Sequence, residues 1–321
     1  MYKNQTQFLK EKKIGECFYL TGKLVNYNKG EHFDNVDLLL PENFCVNIKL
    51  EEPWNSQCLI KEKIYVFQVI LTEKKTKNIL LCQDVNLIEK LANLEDIYKY
   101  YKYFFSCAPI SFQKIDDLIQ SYLKQIKNKI IYQITSNLYL RYQRSFLISP
   151  AAFKMHHDYY GGLGYHVSNM LKISVDFLTS YPYLNKDLLY AGIILHDMSK
   201  IEEFNFEEKT YTKEGVLLGH LILGVNRIHQ EALSLGFQGT EEVLILKHLI
   251  ISHHGLLEYG SAKKPQIAEA LLLWHLDDID AKLTALGDQL TQTSQGTFTI
   301  PVNALGKRCF YKPNLDKKIN N

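Results

Sequence analysis

The chain has 321 residues, 46% of them apolar and 22% charged, which is enough to bury a sizeable core and to hold two or three domains. A net charge of +2 excludes a global field that would draw polyanions, so any nucleic-acid site must be a local patch. The N-terminal MYKNQTQFLKEKK lacks the apolar stretch of a signal peptide and no run of 18 apolar residues occurs, which predicts a cytoplasmic protein with no membrane partner. The six cysteines, Cys17, Cys45, Cys58, Cys82, Cys107 and Cys309, form no CxxC and lie near no histidine cluster. That argues against a cysteine zinc site and predicts reduced thiols in the core.

Residues 14–90 read as β structure. CFYLTGKLV, VDLLL, FCVNIKL, KIYVFQVIL and NILLCQDVNLI are short β-rich runs, separated by turn signals such as Asn28-Lys29-Gly30 and Pro41-Glu42-Asn43. Five strands in about 75 residues suit a small closed barrel, for which the OB-fold is the commonest five-stranded solution and an SH3-like barrel a second one. From about residue 93 the period becomes helical. Ile115, Leu118, Tyr122, Ile126, Ile130 and Ile134 recur at three- and four-residue steps through one stretch. The rest, to about residue 290, reads as all-α. Thr240 with Glu241 and Glu242 predicts an N-cap and first turn for VLILKHLIISHH, with Gly255 as its stop. Pro265 opens a helix carrying Ala268, Leu271, Leu272, Trp274 and Leu276. The last thirty residues are polar again and include LGKRCFYKP. The fold class is therefore α+β multidomain, a small N-terminal β-barrel followed by an all-α domain.

Ten of the eleven histidines fall between positions 156 and 275. Imidazole nitrogen with carboxylate oxygen is a donor set for transition metals, and a carboxylate can bridge two ions. The intervals His166 to His196, Asp197 to His220, His220 to His253 and His253 to Asp277 are 30, 23, 33 and 24 residues, each about one helix plus a connection. One donor would then come from each successive helix. His196 and Asp197 are adjacent, so both reach one centre only near an irregular helix end, and Met198-Ser199-Lys200 leads off that helix. His166, His196, Asp197 and Asp277 satisfy one ion. His220 and His253, with Asp197 bridging, complete a second, and His254 is either a further ligand or a donor behind one. His229, His248 and His275 are read as satisfied core residues.

The set H…HD…H…HH…D resembles that of the HD-domain metal-dependent phosphohydrolases, an all-α superfamily. The strings ISPAAFKMHHDYYGGLGYHVSNML, LLYAGIILHDMSKIEEF, YTKEGVLLGHLILG, ILKHLIISHHGLLEYGSAKKP and EALLLWHLDDIDAKL look like the YhaM-type 3′-5′ exoribonucleases, which join an OB-fold to an HD domain. The likeness is strong over roughly residues 145–313 and rests on architecture over 1–92. It implies an OB-like nucleic-acid-binding domain at 1–92, a helical linker at 93–145, an HD domain at 146–290 and a basic-aromatic tail at 291–321. It also implies that His166, His196, Asp197 and Asp277 are the HD ligands, His220 and His253 the extra pair of two-metal members, and Lys200 the lysine that meets a substrate phosphate. Ser199 departs from the glycine usual there; a serine fits if its φ is negative. Two divalent ions, manganese foremost with iron, cobalt or zinc fitting the same donors, would join Lys200 in neutralising phosphodiester charge.

Substrate contacts are expected from His156 and His157 at the mouth of the site, from Tyr211–Gly215 along the cleft, from Tyr259 as a base-stacking ring, and from Lys307 and Arg308 with Tyr311 and Lys312 in the tail. Tyr98–Tyr103 offers a stacking stripe for nucleic acid, but helical spacing divides it between core and solvent, which favours core packing of a linker helix. Tyr19, Lys23, Tyr27 and Lys29 of the first strand offer a strand-binding set whose face is open. No GxSxG or Walker motif competes for the chemistry. The leading reading is a 3′-5′ exoribonuclease for single-stranded RNA, with single-stranded DNA as a second substrate; a homo-oligomer is compatible with the sequence. The alternatives are an HD hydrolase of small nucleotides or cyclic dinucleotides, against which the barrel argues, and a nucleic-acid-binding factor with a degenerate HD domain, against which the full donor set argues.

Overall fold

The computed structural model describes residues 5–31, 33–52, 59–74, 77–151, 159–206 and 208–315. The chain divides into two units, Met1–Cys107 and Ala108–Asn321.

In the first unit a short helix α1 (Gln5–Leu9) precedes five strands, β1 (Cys17–Asn28), β2 (Asp34–Leu39), β3 (Cys45–Leu50), β4 (Ile64–Lys74) and β5 (Lys77–Leu87). They close in the order β1-β2-β3-β5-β4, with β4 returning to β1. The closure is uneven: β4 and β5 pair along their whole lengths, whereas the parallel β3–β5 seam holds only Ile48 with Leu80 and Lys49 with Leu81. Period-two alternation explains the barrel, since Leu20 and Leu24, Val36 and Leu38, Val46 and Ile48, and Phe67 and Val69 all turn inward and are buried. A bulge in β1 between Leu24 and Asn26 reverses that alternation. Tyr19 and Lys23 therefore point outward, while Tyr27 packs against the barrel core and its hydroxyl bonds to Asp34. After α2 (Ile88–Leu91), helix α3 (Leu94–Phe104) begins at Asn93, whose side chain accepts from Asp96 N. It buries Ile97, Tyr98 and Tyr101 and exposes Tyr103, as helical spacing requires.

The second unit is helical. Its elements are α4 (Phe112–Leu123), α5 (Lys129–Ile148), α6 (Gly162–Ser180), α7 (Lys186–Leu195), α8 (Lys200–Glu203), β6 (Phe204–Asn205), β7 (Thr210–Tyr211), α9 (Lys213–Ser234), α10 (Glu241–Ser252) and α11 (Ala268–Gln292). The segment set apart as a linker is thus distributed: α3 belongs to the first unit, and α4 and α5 to the second. The periodic run through 115–134 is two helices, not one. The amides of Lys127 and Asn128 in the break donate to Asp187 Oδ2 at 2.8 and 2.7 Å, and Asn128 then caps α5. Leu123, Ile126 and Ile131 stay buried across the break, so the apolar rhythm continues where the helix does not.

Helix α7 is buried from Leu188 to its end, as its near-continuous apolar sequence demands, and it packs against α5, α6, α10 and α11. The small β6–β7 hairpin interrupts the expected all-α region. Helix α11 starts at Ala268, three residues beyond Pro265, and Thr240 stands at the N-cap of α10 without a side-chain cap bond. The final segment is more than a tail: Phe298 bridges Tyr311, Val302 bridges Arg308, and Lys312 Nζ caps α11 by donating to Leu290 O and Thr293 O at 2.7 and 2.8 Å. The expectation of core thiols fails for three of the described cysteines: Cys17, Cys45 and Cys309 are exposed, because each lies on an outward strand position or in the terminal hairpin. Among the described cysteines only Cys82 is fully buried, with its thiol pushed up to about 12 by that burial. No helix among the described residues is long and apolar enough to cross a membrane.

Candidate metal centre

Two helices end alike at the centre of the second unit. His196 is the C-cap of α7 and His253 the C-cap of α10. Each brings Nδ1 back to a carbonyl of its own last turn, Ile193 O and Ile250 O, both at 2.8 Å. The last carbonyls of a helix have no intrahelical donor, so the ring satisfies one and is locked by it. Nε2 of each ring is thereby turned outward. Asp197 follows His196 beyond the helix end, and Ser199 has φ −76°, so the serine is carried without strain.

The other donors come from helix interiors. His166 lies on α6 and Asp277 on α11, and His166 Nε2 is 3.2 Å from Asp277 Oδ1. His220 lies on α9 directly after Gly219, whose φ of 70° and ψ of 162° break the helix. That conformation is nearly exclusive to glycine. His254 follows His253, and its Nδ1 meets Tyr259 O at 2.8 Å. The chain then turns at Gly255, where φ is +75° and a Cβ would fall 2.0 Å from the Trp274 ring, so no side chain is admitted.

These donors form two groups, His166, His196, Asp197 and Asp277, and His220, His253 and His254, with the donor atoms of each within 4.8 Å of one another. Asp197 faces both. Its Oδ2 is 3.3 Å from His196 Nε2, and its Oδ1 is 3.4 Å from His220 Nε2 and 3.7 Å from His253 Nε2. Nε2 of His196, His220 and His253 and Oδ1 of Asp197 are buried without a hydrogen-bond partner. Orphaned buried polar atoms cost about 1–3 kcal/mol each. Four of them converging on one space are the donor set a divalent cation satisfies, so the residues fit metal ions.

Electrostatics support the same reading. Burial opposes charge on Asp197, but the Lys200 ammonium, 2.7 Å from Oδ2, and His196 hold the carboxyl well below its usual range. Burial likewise opposes the Lys200 charge, and Asp197 and Asp277 more than offset it, so that ammonium is strengthened. Asp277 is held low against burial by its hydrogen bond with His166. Burial also disfavours a charged His166, yet its bonds to Asp277 and Asp280 push it up to about 10. His253 is driven down by burial, and His254 to about 4 by burial and by His253.

Two carboxylates behind the candidate donors escaped sequence reasoning. Asp280 accepts from His166 Nδ1 at 2.7 Å, and Glu203 from His220 Nδ1 at 2.8 Å. Carboxylates behind ligating histidines fix tautomer and orientation. Asp280 left a signal, being three residues beyond Asp277 on the same helix face. Glu203 left none, since it lies 17 positions from His220.

Of the remaining expected residues, those that the structure describes do not join this cluster. His156 and His157 lie outside the described residues. Tyr259 is 65% exposed beside His254. Lys307 and Arg308 are exposed on the terminal hairpin, Arg308 bonding Leu305 O, and no hydrogen bond or ion pair ties either to the histidines. His229 and His275 are exposed rather than core, because both fall on the outer faces of their helices, and His248 is half-buried and accepts from Gln266 N.

The HD domain family matches residues 163–282, the span from α6 into α11 that carries every one of these donors. The 3′-5′ exoribonuclease YhaM of Shouchella clausii is 46% identical over 216 residues, covering 67% of this chain and 67% of that protein. The protein of the same name from Bacillus licheniformis is 43% identical over 215 residues, and that of Bacillus subtilis 42% over 215 residues, each covering 67% of this chain and 68% of the relative. At that identity, across two thirds of both partners, the chain belongs to the YhaM family of HD-domain proteins.

Proposed function

We propose that this protein is a metal-dependent 3′-5′ exoribonuclease that removes nucleotides from single-stranded RNA, with single-stranded DNA as a second substrate, at a centre of two divalent ions. The observation that carries the reading is the Asp197 carboxylate, which turns one oxygen to each histidine group. The activity named for the relatives supports the reaction class. His166, His196, Asp197 and Asp277 would hold one ion, and His220, His253 and His254 with Asp197 the other. Manganese is the foremost candidate, and iron, cobalt and zinc suit the same donors. Divalent ions there supply Lewis-acid stabilisation of a phosphodiester and a water that ionises near neutral pH.

The chain's own groups do the rest. Lys200 anchors Asp197 with one proton and, 18% exposed, keeps others for a phosphate oxygen as charge develops on it. His254 is neutral at physiological pH, with Nδ1 committed to Tyr259 O and the other nitrogen left for ion or substrate. The exposed Tyr259 ring is positioned to stack on a base beside it. His156, His157, Lys307 and Arg308 are further strand contacts in this reading. The barrel, read as an OB-fold, holds the strand upstream of the site.

The test is a time course on 5′-labelled single-stranded RNA with Mn²⁺, beside Asp197→Ala and an EDTA control. A ladder shortening from the 3′ end in the wild type alone is expected. RNA left intact by the wild type rejects the proposal, and an Asp197→Ala protein that cleaves at the normal rate rejects the centre.

A further inference from the structure

The outer surface of the barrel is not uniform. The face of β2 and β3, where barrels of this size commonly take single strands, presents Asn35, Asp37, Leu39, Cys45 and Asn47 outward. Asp37 is occupied by Asn47 and Asn26 at 2.8 and 3.3 Å, and the one lysine there, Lys49, is 9% exposed and lies over the Phe33 ring. That face offers a nucleic acid neither an exposed ring nor an available cation among the described residues.

The opposite situation holds where β1 begins. Two adjoining cavities of about 800 and 240 Å³ share Pro41, Glu42 and Tyr100, and together run between the first residues of β1, the β2–β3 turn and α3. Their walls carry five aromatic rings at least partly open to solvent: Tyr19 at 67% exposure, Tyr103 at 66%, and the half-buried Tyr100, Phe18 and Phe8. Tyrosines on an outward strand position and on the outer side of a helix have no packing reason to line one groove. Base faces are what such rings accommodate, independent of sequence.

We propose that this groove, rather than the β2–β3 face, is where the first unit takes the single-stranded RNA, its bases stacked on Tyr19, Tyr100 and Tyr103. The assignment rests on the exoribonuclease reading and deepens it. The charge inventory sets the mode of binding. Lys12, Lys99 and Lys102 line the groove, as do Glu42, Glu95 and Asp96. Lys12 is paired with Glu16 and Lys99 with Asp96, both at 3.1 Å, which leaves Lys102, over the Tyr98 ring, without a carboxylate partner among the described residues. Stacking therefore dominates over phosphate neutralisation. Single strands lose affinity with salt at a log–log slope of about −0.7 per neutralised phosphate, so the groove contributes a slope no larger than about 1 in size.

The test compares KM and kcat of the enzyme on a single-stranded RNA of about 20 nucleotides and on a trinucleotide, which has too few bases to occupy the three tyrosines and the HD site together. Loss of two stacking platforms in Tyr100→Ala/Tyr103→Ala should raise KM for the long substrate by about tenfold or more. kcat and all trinucleotide kinetics should stay at wild-type values, which also shows that the variant is folded. Tyr103→Phe should retain the wild-type KM, and Asn35→Ala/Asn47→Ala should have no effect. The proposal is overturned if the double tyrosine variant keeps its KM on the long RNA, or if the β2–β3 variant is the one that weakens. A wild type that degrades neither RNA sinks the exoribonuclease reading itself, which is a separate and distinguishable failure.

Discussion

Gly219 provides a test of how the two donor groups are built. It sits inside α9 with φ 70° and ψ 162°, one residue before His220, and a Cβ placed there would meet nothing nearer than Glu203 Oε1 at 3.6 Å. Gly219→Ala therefore introduces no clash, and its effect is conformational alone. An alanine held in that region costs about 1–3 kcal/mol. An alanine released into a continuous helix gains about 1 kcal/mol over glycine. The favourable outcome is a straightened α9, which swings the His220 ring away from Glu203 and Asp197. Neither end of that range unfolds a helical unit of this size, where 1 kcal/mol moves Tm by about 2–4 °C. The His166–Asp277 group lies on other helices and should be untouched.

The expected result is a folded variant that binds one ion with wild-type affinity and the second about 10–100-fold more weakly, with activity reduced in proportion at limiting metal. Titration calorimetry with Mn²⁺ and metal analysis after gel filtration read the stoichiometry directly. Gly239→Ala is the control, because Gly239 also has positive φ, at +84°, in open space. It should cost about 1–2 kcal/mol of stability and lose no metal. Retention by Gly219→Ala of two ions at wild-type affinity would refute the argument that the helix break positions His220.

Two further predictions concern the groups behind the ligands. Glu203→Gln should weaken the His220 group and Asp280→Asn the His166 group, each by about 10–100-fold, so that the two variants lose different ions; equal losses from both would show that the groups are not separable. The His166 proton gives a pH test. Its ring is pushed up to about 10 from 6.5, so before an ion binds that proton stabilises the fold fully below about 6.5, and the contribution is lost as pH rises through about 10. An ion must displace it, so affinity at the His166 group should rise by about tenfold per pH unit between pH 7 and 9, with proton release seen by calorimetry in buffers of different ionisation enthalpy. A pH-independent affinity would contradict the assignment.

What was legible in the sequence follows from what repeats. Period-two strands and the apolar α7 are written in composition, and the donor residues declare themselves by chemistry and by helix-length spacing. What was hidden depends on contacts between distant positions. The 124–128 break is stabilised by Asp187, some sixty residues on, while the apolar rhythm runs through it unchanged. The β1 bulge sends Tyr27 to the opposite side from Tyr19, although their spacing is even and the letters alone would put them together. Glu203 reaches His220 only because the β6–β7 hairpin folds α9 back onto α8.

The charge pattern explains how the fold can carry this centre at all. Three carboxylates, Asp197, Asp277 and Asp280, are gathered in the interior, an arrangement that desolvation alone would make prohibitive. Lys200 on Asp197 and a His166 imidazolium donating from Nε2 to Asp277 and from Nδ1 to Asp280 offset them before any ion arrives. In the second group burial disfavours charge on His253 and His254, Glu203 stands behind His220 at 2.8 Å, and Asp197 lends one oxygen. Carboxylate-rich sites favour hard ions such as Mn²⁺, and imidazole sites favour Zn²⁺ and Fe²⁺. If two ions bind as proposed, the two halves would differ in the ion they prefer, and Asp197 would be the residue through which filling one alters the field at the other.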